Sequence, residues 1–165
     1  MLGAALWKLQ SREHLSMPHA VHPPRTRVTS VSSVLTSLGI PQGPLEAHLW
    51  IVTGVEPSIV PKLAGLIGES ARAVCALIGI SQSTLARKIA ASSPLSTEQG
   101  ARVYCVVLAL DAALSLHEGD IVKCTSWLNR PARGLGGEKP VDLLSTAMGV
   151  QAVIDLAGQI EHGVF

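Results

Sequence analysis

The residues best suited to catalysis in this sequence are scattered rather than grouped. Cys105, followed by His117 and Glu118, offers a nucleophile and a base, and Glu161 beside His162 offers an acid and a base. A working nucleophile needs a base within reach and a third group that orients that base. No spacing in the chain supplies the third group, and neighbours such as Glu161 and His162 point to different faces of a helix. We therefore predict that the protein is not an enzyme and has no catalytic residues.

A glycine-rich segment at residues 134–137 has the composition of a loop that cradles phosphate. It reads Gly-Leu-Gly-Gly. This lacks both the Gly-x-Gly-x-x-Gly spacing of dinucleotide-binding loops and the Gly-Lys-Ser/Thr of nucleotide-binding loops. Glycines favour a tight turn here instead. We expect no cofactor.

Cysteine and histidine are also unfavourably placed for a metal. Cys75, Cys105 and Cys124 are far apart and include no Cys-x-x-Cys pair, so neither a zinc site nor a disulfide framework is indicated. The histidines near the start lie among prolines without a Cys or Asp beside them. We interpret the cysteines as buried reduced thiols and residues 1–30 as a flexible leader, and we predict no metal site.

Composition favours an all-α fold. The chain has 165 residues, 47% of them hydrophobic and 15% charged, which is enough for a real core. Aromatic residues make up only 3%, and small aliphatic residues supply the apolar mass, as packed helices prefer. The longest apolar run, Val103–Leu110, is far shorter than a membrane span, so we expect a soluble, cytoplasmic protein. With a net charge of +1, any contact with DNA must be local.

Hydrophobic spacing and capping residues predict the helices that would position these groups. A helix face at Val31, Val34, Leu35 and Leu38 would serve packing or dimerisation, with a linker through Pro44 after it. Residues 45–55 fit a helix or a strand equally well. The remaining helices are predicted at residues 57–66, 70–78, 81–91, 96–116, 120–128, 140–148 with Gly149 as the breaker, and 150–160.

These elements divide the chain into three parts. Residues 1–30 form the leader, residues 31–117 a helical domain, and residues 118–165 a small second domain. In the long helix, Asp111 is expected on the exposed stripe rather than in a functional site.

The segment Val74–Ile89 resembles the helix-turn-helix of phage-repressor-like, or Xre-type, regulators. Gly79 allows the left-handed backbone of a turn, and Ser81 caps the following helix. In that family the start of the second helix enters the major groove. The residues expected to contact DNA are Gln82, Ser83, Thr84, Arg87 and Lys88.

A packing role without DNA binding remains open for this unit. Residues 55–100 hold four Lys or Arg and three Glu, a balance of only +1. So weak a positive charge does not by itself indicate a nucleic-acid surface.

The C-terminal part carries a longer and more specific pattern. In order along the chain, its elements are Trp127-Leu128, Pro131, Leu135-Gly136-Gly137, Pro140, Leu143-Leu144, Gly149 and Ile160-Glu161-His162-Gly163-Val164. This pattern is similar to the toxin-binding domain of the Xre/MbcA/ParS antitoxin family.

The resemblance implies a bacterial type II antitoxin that is not itself an enzyme. Such a protein neutralises a toxin of the RES family, toxins thought to consume NAD, by blocking the active-site cleft, and it represses its own operon through the helix-turn-helix. A homodimer within a larger toxin–antitoxin complex is expected, with operator DNA as a partner and no membrane.

The loop and the tail are expected to bind the toxin, with Val164 and Phe165 as apolar anchors beside the terminal carboxylate. Most of the apolar residues around them, such as Trp127 and Leu144, are expected in the core. The predicted toxin-binding residues are Arg130, Arg133, Leu135, Gly136, Gly137, Lys139, Glu161, His162, Gly163, Val164 and Phe165. The alternative is a stand-alone transcriptional regulator whose C-terminal domain mediates self-association.

Overall fold

The computed structural model of the protein describes residues 33–164. Over these residues the chain is all-α, as predicted. The elements are α1 (Val34–Leu38), α2 (Pro44–Thr53), α3 (Ile59–Ile67), α4 (Ala71–Ile78), α5 (Gln82–Ala90), α6 (Thr97–Leu116), α7 (Ile121–Leu128), a short 3-10 helix (Arg133–Leu135), α8 (Pro140–Leu143) and α9 (Ala147–His162).

The long helix α6 is the centre of the fold. It begins at a capping box, in which the Ser96 hydroxyl accepts from the Gln99 amide and the Gln99 side chain accepts from the Ser96 amide. Helices α1, α2, α4, α7 and α9 all pack against it, and α9 makes the most extensive contact. The predicted core positions of α6 are all buried: Val103, Val106, Val107, Leu110 and Leu114. One apolar core therefore runs from Val34 in α1 to Val153 in α9.

Among residues 33–164, α6 is also the one helix long and apolar enough to cross a membrane. Here its buried side chains face other helices of the same chain. Length and composition alone do not separate a core helix from a span.

The turn between α4 and α5 is as predicted. Gly79 ends α4 with a left-handed backbone at φ 70°, and the amide of Ile80 donates to the carbonyl of Cys75. The hydroxyl of Ser81 then accepts from the amide of Thr84 and caps α5. A three-residue turn therefore joins two short helices. Each helix buries an apolar residue, Val74 in α4 and Leu85 in α5.

In residues 45–55, for which helix and strand were equally consistent, the chain is helical up to Thr53, where α2 ends, and Gly54 follows it. Pro44 does not belong to a linker, because it occupies the first turn of this helix after Gly43. Proline suits that position, where its missing N–H would have no partner in the helix.

The structure supports the packing alternative for α1 and corrects the expectation for Asp111. Val34 and Leu35 are buried in the chain's own core, so α1 is a packing helix and its apolar face is not available to a second copy. Val31, predicted on the same face, lies outside the described residues. Asp111 is half-buried rather than exposed, and its Oδ1 accepts from the amide of Val34 at 2.7 Å.

The end of the chain also differs from the prediction. Helix α8 stops at Leu143, and α9 begins at Ala147 with the Thr146 hydroxyl as its cap. Gly149 therefore lies inside α9 and does not break a helix. It is needed for a different reason, since a side chain there would collide with the carbonyl oxygen of Leu143.

Candidate functional site

The loop between α7 and α8 closes on itself through its backbone. The amide of Ala132 donates to the carbonyl of Glu138 at 3.0 Å, and the carbonyl of Ala132 accepts from the amides of Leu135 and Gly137. Gly136 and Gly137 have φ values of 68° and 91°, which other residues adopt with difficulty. The glycine-rich segment is thus a tight turn, as predicted, with a defined shape.

This closed loop packs on α9. A side chain added at Gly134 would lie 2.5 Å from Cδ1 of Leu156, closer than two such atoms can approach, so the loop backbone rests directly on that leucine. Leu135 is half-buried against the core. The glycine at position 134 therefore permits a close approach of loop and helix.

The tail leaves the C-terminal half of α9, which is also the half that contains Leu156 and on which the loop packs. It begins at Glu161, five residues beyond Leu156, or about 8 Å along a helix that rises 1.5 Å per residue. Gly163 ends α9 with a left-handed backbone at φ 66°, and the amide of Val164 donates to the carbonyl of Gln159. Val164 is 64% exposed. Phe165, predicted as a second anchor, lies outside the described residues.

The closed loop packs on α9 and the tail continues from it, and we call the two together the loop–tail surface (residues 130–139 and 161–164). It carries three cations and two acids, Glu138 and Glu161. Arg130, Arg133 and Lys139 are all exposed. Between residues 33 and 164 the ion pairs Arg102–Glu98 and Lys123–Asp120 are found elsewhere, and these three cations take part in neither. Arg130 and Lys139 lie just outside the hydrogen bond from Ala132 to Glu138 that closes the loop, and the Glu138 side chain is also exposed there.

Trp127, in the last turn of α7 before the loop, packs against His117. Their ring centroids are 6.1 Å apart in an edge-to-face arrangement. Burial lowers the pKa of the His117 imidazole, nearby Lys123 lowers it further, and Asp120 opposes both. The Nε2 atom of His117 is buried without a hydrogen-bond partner. His117, which the sequence offered as a possible base, therefore packs against the ring of Trp127 instead.

The geometry does not favour a cysteine nucleophile either. Cys105 is half-buried, and burial raises the pKa of its thiol. Cys75 and Cys124 are buried, and burial raises the pKa of Cys124 to about 11. Because the thiolate is the reactive form, these cysteines are poorly suited to attack. Over the described part of the chain all three are free thiols.

The residues predicted to contact DNA differ in their exposure along α5. Gln82, Ser83 and Arg87 are exposed. Thr84 is half-buried, and its hydroxyl oxygen accepts from the hydroxyl of Ser81 at 2.8 Å. The Nζ of Lys88 donates to the carbonyl of Pro94 at 2.6 Å, so this side chain is turned back toward the protein.

An apolar groove, which the sequence did not indicate, separates the two candidate surfaces. It encloses about 280 Å³ between α4 on one side and α7 and α8 on the other. Ala73 and Leu77 line one wall, and Leu128 and Val141 line the other. Periodicity predicted the helices but not the gap between them, because the gap depends on how helices distant in sequence pack.

Comparison with known proteins agrees with this architecture. A sequence model described as the antitoxin Xre/MbcA/ParS C-terminal toxin-binding domain matches residues 112–163. The chain is 38% identical over 87 residues to an antitoxin Xre from Yersinia enterocolitica, a match that covers 53% of this chain and 59% of that protein. It is 30% identical over 111 residues to an antitoxin Xre from Photorhabdus laumondii, covering 67% of this chain and 75% of that protein. The chain belongs to the Xre/MbcA/ParS antitoxin family.

A third relative widens the comparison. A Prs ADP-ribosylating antitoxin from Sphingobium is 28% identical over 123 residues, covering 70% of this chain and 77% of that protein. The match to the Yersinia protein spans less than two thirds of that protein's length.

The family match shows where the domain that the family model describes as toxin-binding lies in the structure. The match begins at Ala112 within α6 and contains α7, the closed loop, α8 and α9. All the motif elements that carried the resemblance fall within these bounds except Val164 at the very end. The resemblance seen in the sequence is confirmed.

Proposed function

We propose that this antitoxin neutralises a RES-family, NAD-consuming toxin by inserting its loop–tail surface into the toxin's active-site cleft. We further propose that it represses its own operon through α4 and α5, working as a homodimer in the bacterial cytoplasm and not as an enzyme. The observation that carries the proposal is that α9 holds the closed loop and the exposed tail on the same half of one helix.

The tail is suited to fill a cleft. Gly163 turns the chain away from α9, and Val164 follows it as an exposed apolar residue. Phe165 comes next in sequence. Two consecutive apolar residues would serve as anchors in an apolar part of a ligand cleft.

The loop supplies charge and rigidity. Arg130, Arg133 and Lys139 are available to pair with acidic groups around the mouth of the cleft. Because the backbone of the loop is closed by its own hydrogen bonds, little ordering is required when the toxin binds. Charge pairs of this kind accelerate association and select the partner.

The operator surface is proposed on α5. Gln82 and Ser83, at the start of the helix, are exposed toward solvent and suited to hydrogen bonds with base edges. Arg87 is suited to a phosphate or a guanine. Lys88 is a weaker candidate than the sequence suggested, since Pro94 already accepts from it.

Co-expression with the product of the neighbouring gene tests this function. We expect that product to stop growth when expressed alone, and the full antitoxin to restore growth and to co-purify with it. Removal of residues 161–165 should abolish rescue but leave operator binding intact. The exposed substitution Gln151→Ala on α9 serves as a control that keeps both.

The stand-alone regulator predicts a different result. In that case the neighbouring product is harmless or absent, and only operator binding is observed. Loss of operator binding together with rescue in the truncated protein would contradict separate surfaces for toxin and DNA.

A further inference from the structure

Helix α2 has an apolar face that the fold leaves uncovered. Leu45, Leu49 and Val52 are 64%, 52% and 48% exposed. Their spacing of four and then three residues places them along one side of a helix. We call these three residues the α2 stripe. Single exposed apolar residues are ordinary on a protein surface, whereas an aligned set marks a contact site.

The opposite side of α2 already accounts for its packing in the chain. Ala47 is buried, and the ring of Trp50 lies 6.4 Å from that of Tyr104 in α6. Ile51 approaches α6 at Gly100, where an added side chain would lie 3.7 Å from its Cγ2. The α2 stripe is therefore not needed to hold the helix in place.

The α2 stripe leads toward the end of the DNA-facing helix. Gly54, just after α2, and Ile89, in the last turn of α5, line the same cleft of about 200 Å³. The amide of Leu95 donates to the carbonyl of Val55 at 2.8 Å and ties the segment after α5 to the end of α2. Ile89 is itself 43% exposed. A protein bound to α2 would therefore be positioned relative to α5 through these contacts.

We propose that the α2 stripe is the surface through which two copies of this chain pair. The inference rests on the proposed operator binding, because a helix-turn-helix reads two half-sites about 34 Å apart and so needs a two-fold partner. A closed two-fold interface must fit itself, with each residue meeting its counterpart across the axis. The stripe satisfies this when Leu49 lies on the axis and Leu45 of one copy meets Val52 of its partner.

The charges on α2 agree with a second copy rather than with a charged partner. Between Leu45 and Thr53 the only acid is Glu46, and there is no Lys or Arg. In an antiparallel pair centred on Leu49 the two Glu46 residues lie at opposite ends, so they do not repel one another. Apart from exposed His48 beside Leu49, this face has no basic side chain, so it has little to attract DNA, and one acid at its margin does little to attract a basic protein.

The self-association is expected to be modest in solution and strengthened on the operator. The stripe is narrow compared with the 1,200–2,000 Å² that stable interfaces bury. When two copies bind adjacent half-sites of one operator, the effective concentration of each copy at the other rises. This compensates for the small area that the stripe buries.

Substitution of Leu49 tests this inference on the full chain. The mass of the wild type in solution, measured by sedimentation, should increase toward that of a dimer with concentration. Leu49→Asp should remain a monomer over the same range, lose at least tenfold in affinity for a paired operator, and still rescue cells from the toxin. Val122→Asp, which also charges an exposed apolar residue but on α7, should behave as the wild type.

Cross-linking gives a second measurement that does not depend on a charged substitution. Leu49→Cys should join two copies through a short thiol-reactive reagent, and Val122→Cys should not. A wild type that is a monomer at every concentration and on the operator, an unchanged mass for Leu49→Asp, or no cross-link at Leu49 would overturn the inference. If Leu49→Asp still self-associates but no longer rescues cells, the α2 stripe binds the toxin and not a second copy. That result would also overturn the inference.

The two proposals fail in different ways. If the wild type neither rescues cells nor binds its operator, the proposed function is wrong, whatever the mass of the protein. If the wild type does both and Leu49→Asp still forms the same dimer, only the location of the interface is wrong.

Discussion

The carboxylate of Asp111 in α6 accepts a hydrogen bond from the amide of Val34, 77 positions earlier in the chain. Val34 is the first residue of α1, where the helix itself provides no acceptor for the amide. The amide belongs to a residue that is only 1% exposed, so water is a poor substitute. This one contact fixes the start of α1 on the central helix.

Removal of that carboxylate should weaken the fold. Asp111→Ala leaves a buried amide without a partner, which costs about 1–3 kcal/mol. Asp111→Asn keeps an acceptor oxygen and should lose less. The free energy of unfolding in urea measures both, with exposed Asp155→Ala as the control. Equal stabilities for Asp111→Ala and the wild type would contradict the assigned role.

The two glycines inside α9 should respond oppositely to alanine. Gly149→Ala forces a side chain against the backbone carbonyl of Leu143, and we expect a loss of about 1–3 kcal/mol, as for an overpacked core. Gly158→Ala meets nothing within 4 Å and should stabilise the helix by about 0.5–1 kcal/mol. Thermal unfolding of the two variants compares them directly. A stabilising Gly149→Ala would show that α8 and α9 do not meet as described.

The stability of the protein should fall at mildly acidic pH because of His117. Burial lowers the pKa of His117 from its ordinary value of 6.5, so the unfolded chain binds more protons just below that pH. The stabilisation is complete above about pH 6.5 and is lost as the pH falls below it. His117→Phe keeps an aromatic ring beside Trp127 and removes the titration. Its unfolding free energy should depend less on pH between 7 and about 5 than that of the wild type.

Two neighbouring cations on α5 should differ in their effect on operator binding. Arg87 is exposed, and Arg87→Ala should weaken binding on all sequences and reduce the slope of log affinity against log salt by about 1. Lys88 donates to Pro94, so Lys88→Ala should change that slope less. Titrations of labelled operator at several salt concentrations would measure both. A larger change for Lys88→Ala would mean that its contact with Pro94 opens on DNA.

The sequence predicted the local structure of this antitoxin well where caps and spacing are explicit. Ser81, Ser96 and Asp120, the first residues of three predicted helix ranges, each cap the helix that follows. The motif around Trp127 identified the family because it depends on the order of residues and not on packing. Prolines and glycines were harder, since Pro44 begins a helix and Gly149 lies within one. From the local sequence alone, a proline or glycine that ends a helix looks the same as one that permits close packing against a distant segment.

Relationships across the chain were beyond the sequence. The bond from Val34 to Asp111 and the contact of Gly134 with Leu156 join residues that no periodicity connects. For the apolar face of α1 the sequence left packing and dimerisation open, and the face is buried because α6 and α3 cover it. The division at residues 117 and 118 stays a prediction, while the apolar core continues across it.

The central claim is that the loop and the tail together hold the toxin, and calorimetric titration of the purified toxin tests it most directly. Truncation after Ile160 should lower the affinity by at least about 30-fold, the effect of losing a strong interface anchor of about 2 kcal/mol. Arg130→Ala combined with Arg133→Ala should also weaken binding, chiefly through slower association. Arg87→Ala on α5 should bind the toxin as the wild type does. Full affinity in the truncated protein, or a loss that appears only in Arg87→Ala, would contradict the account.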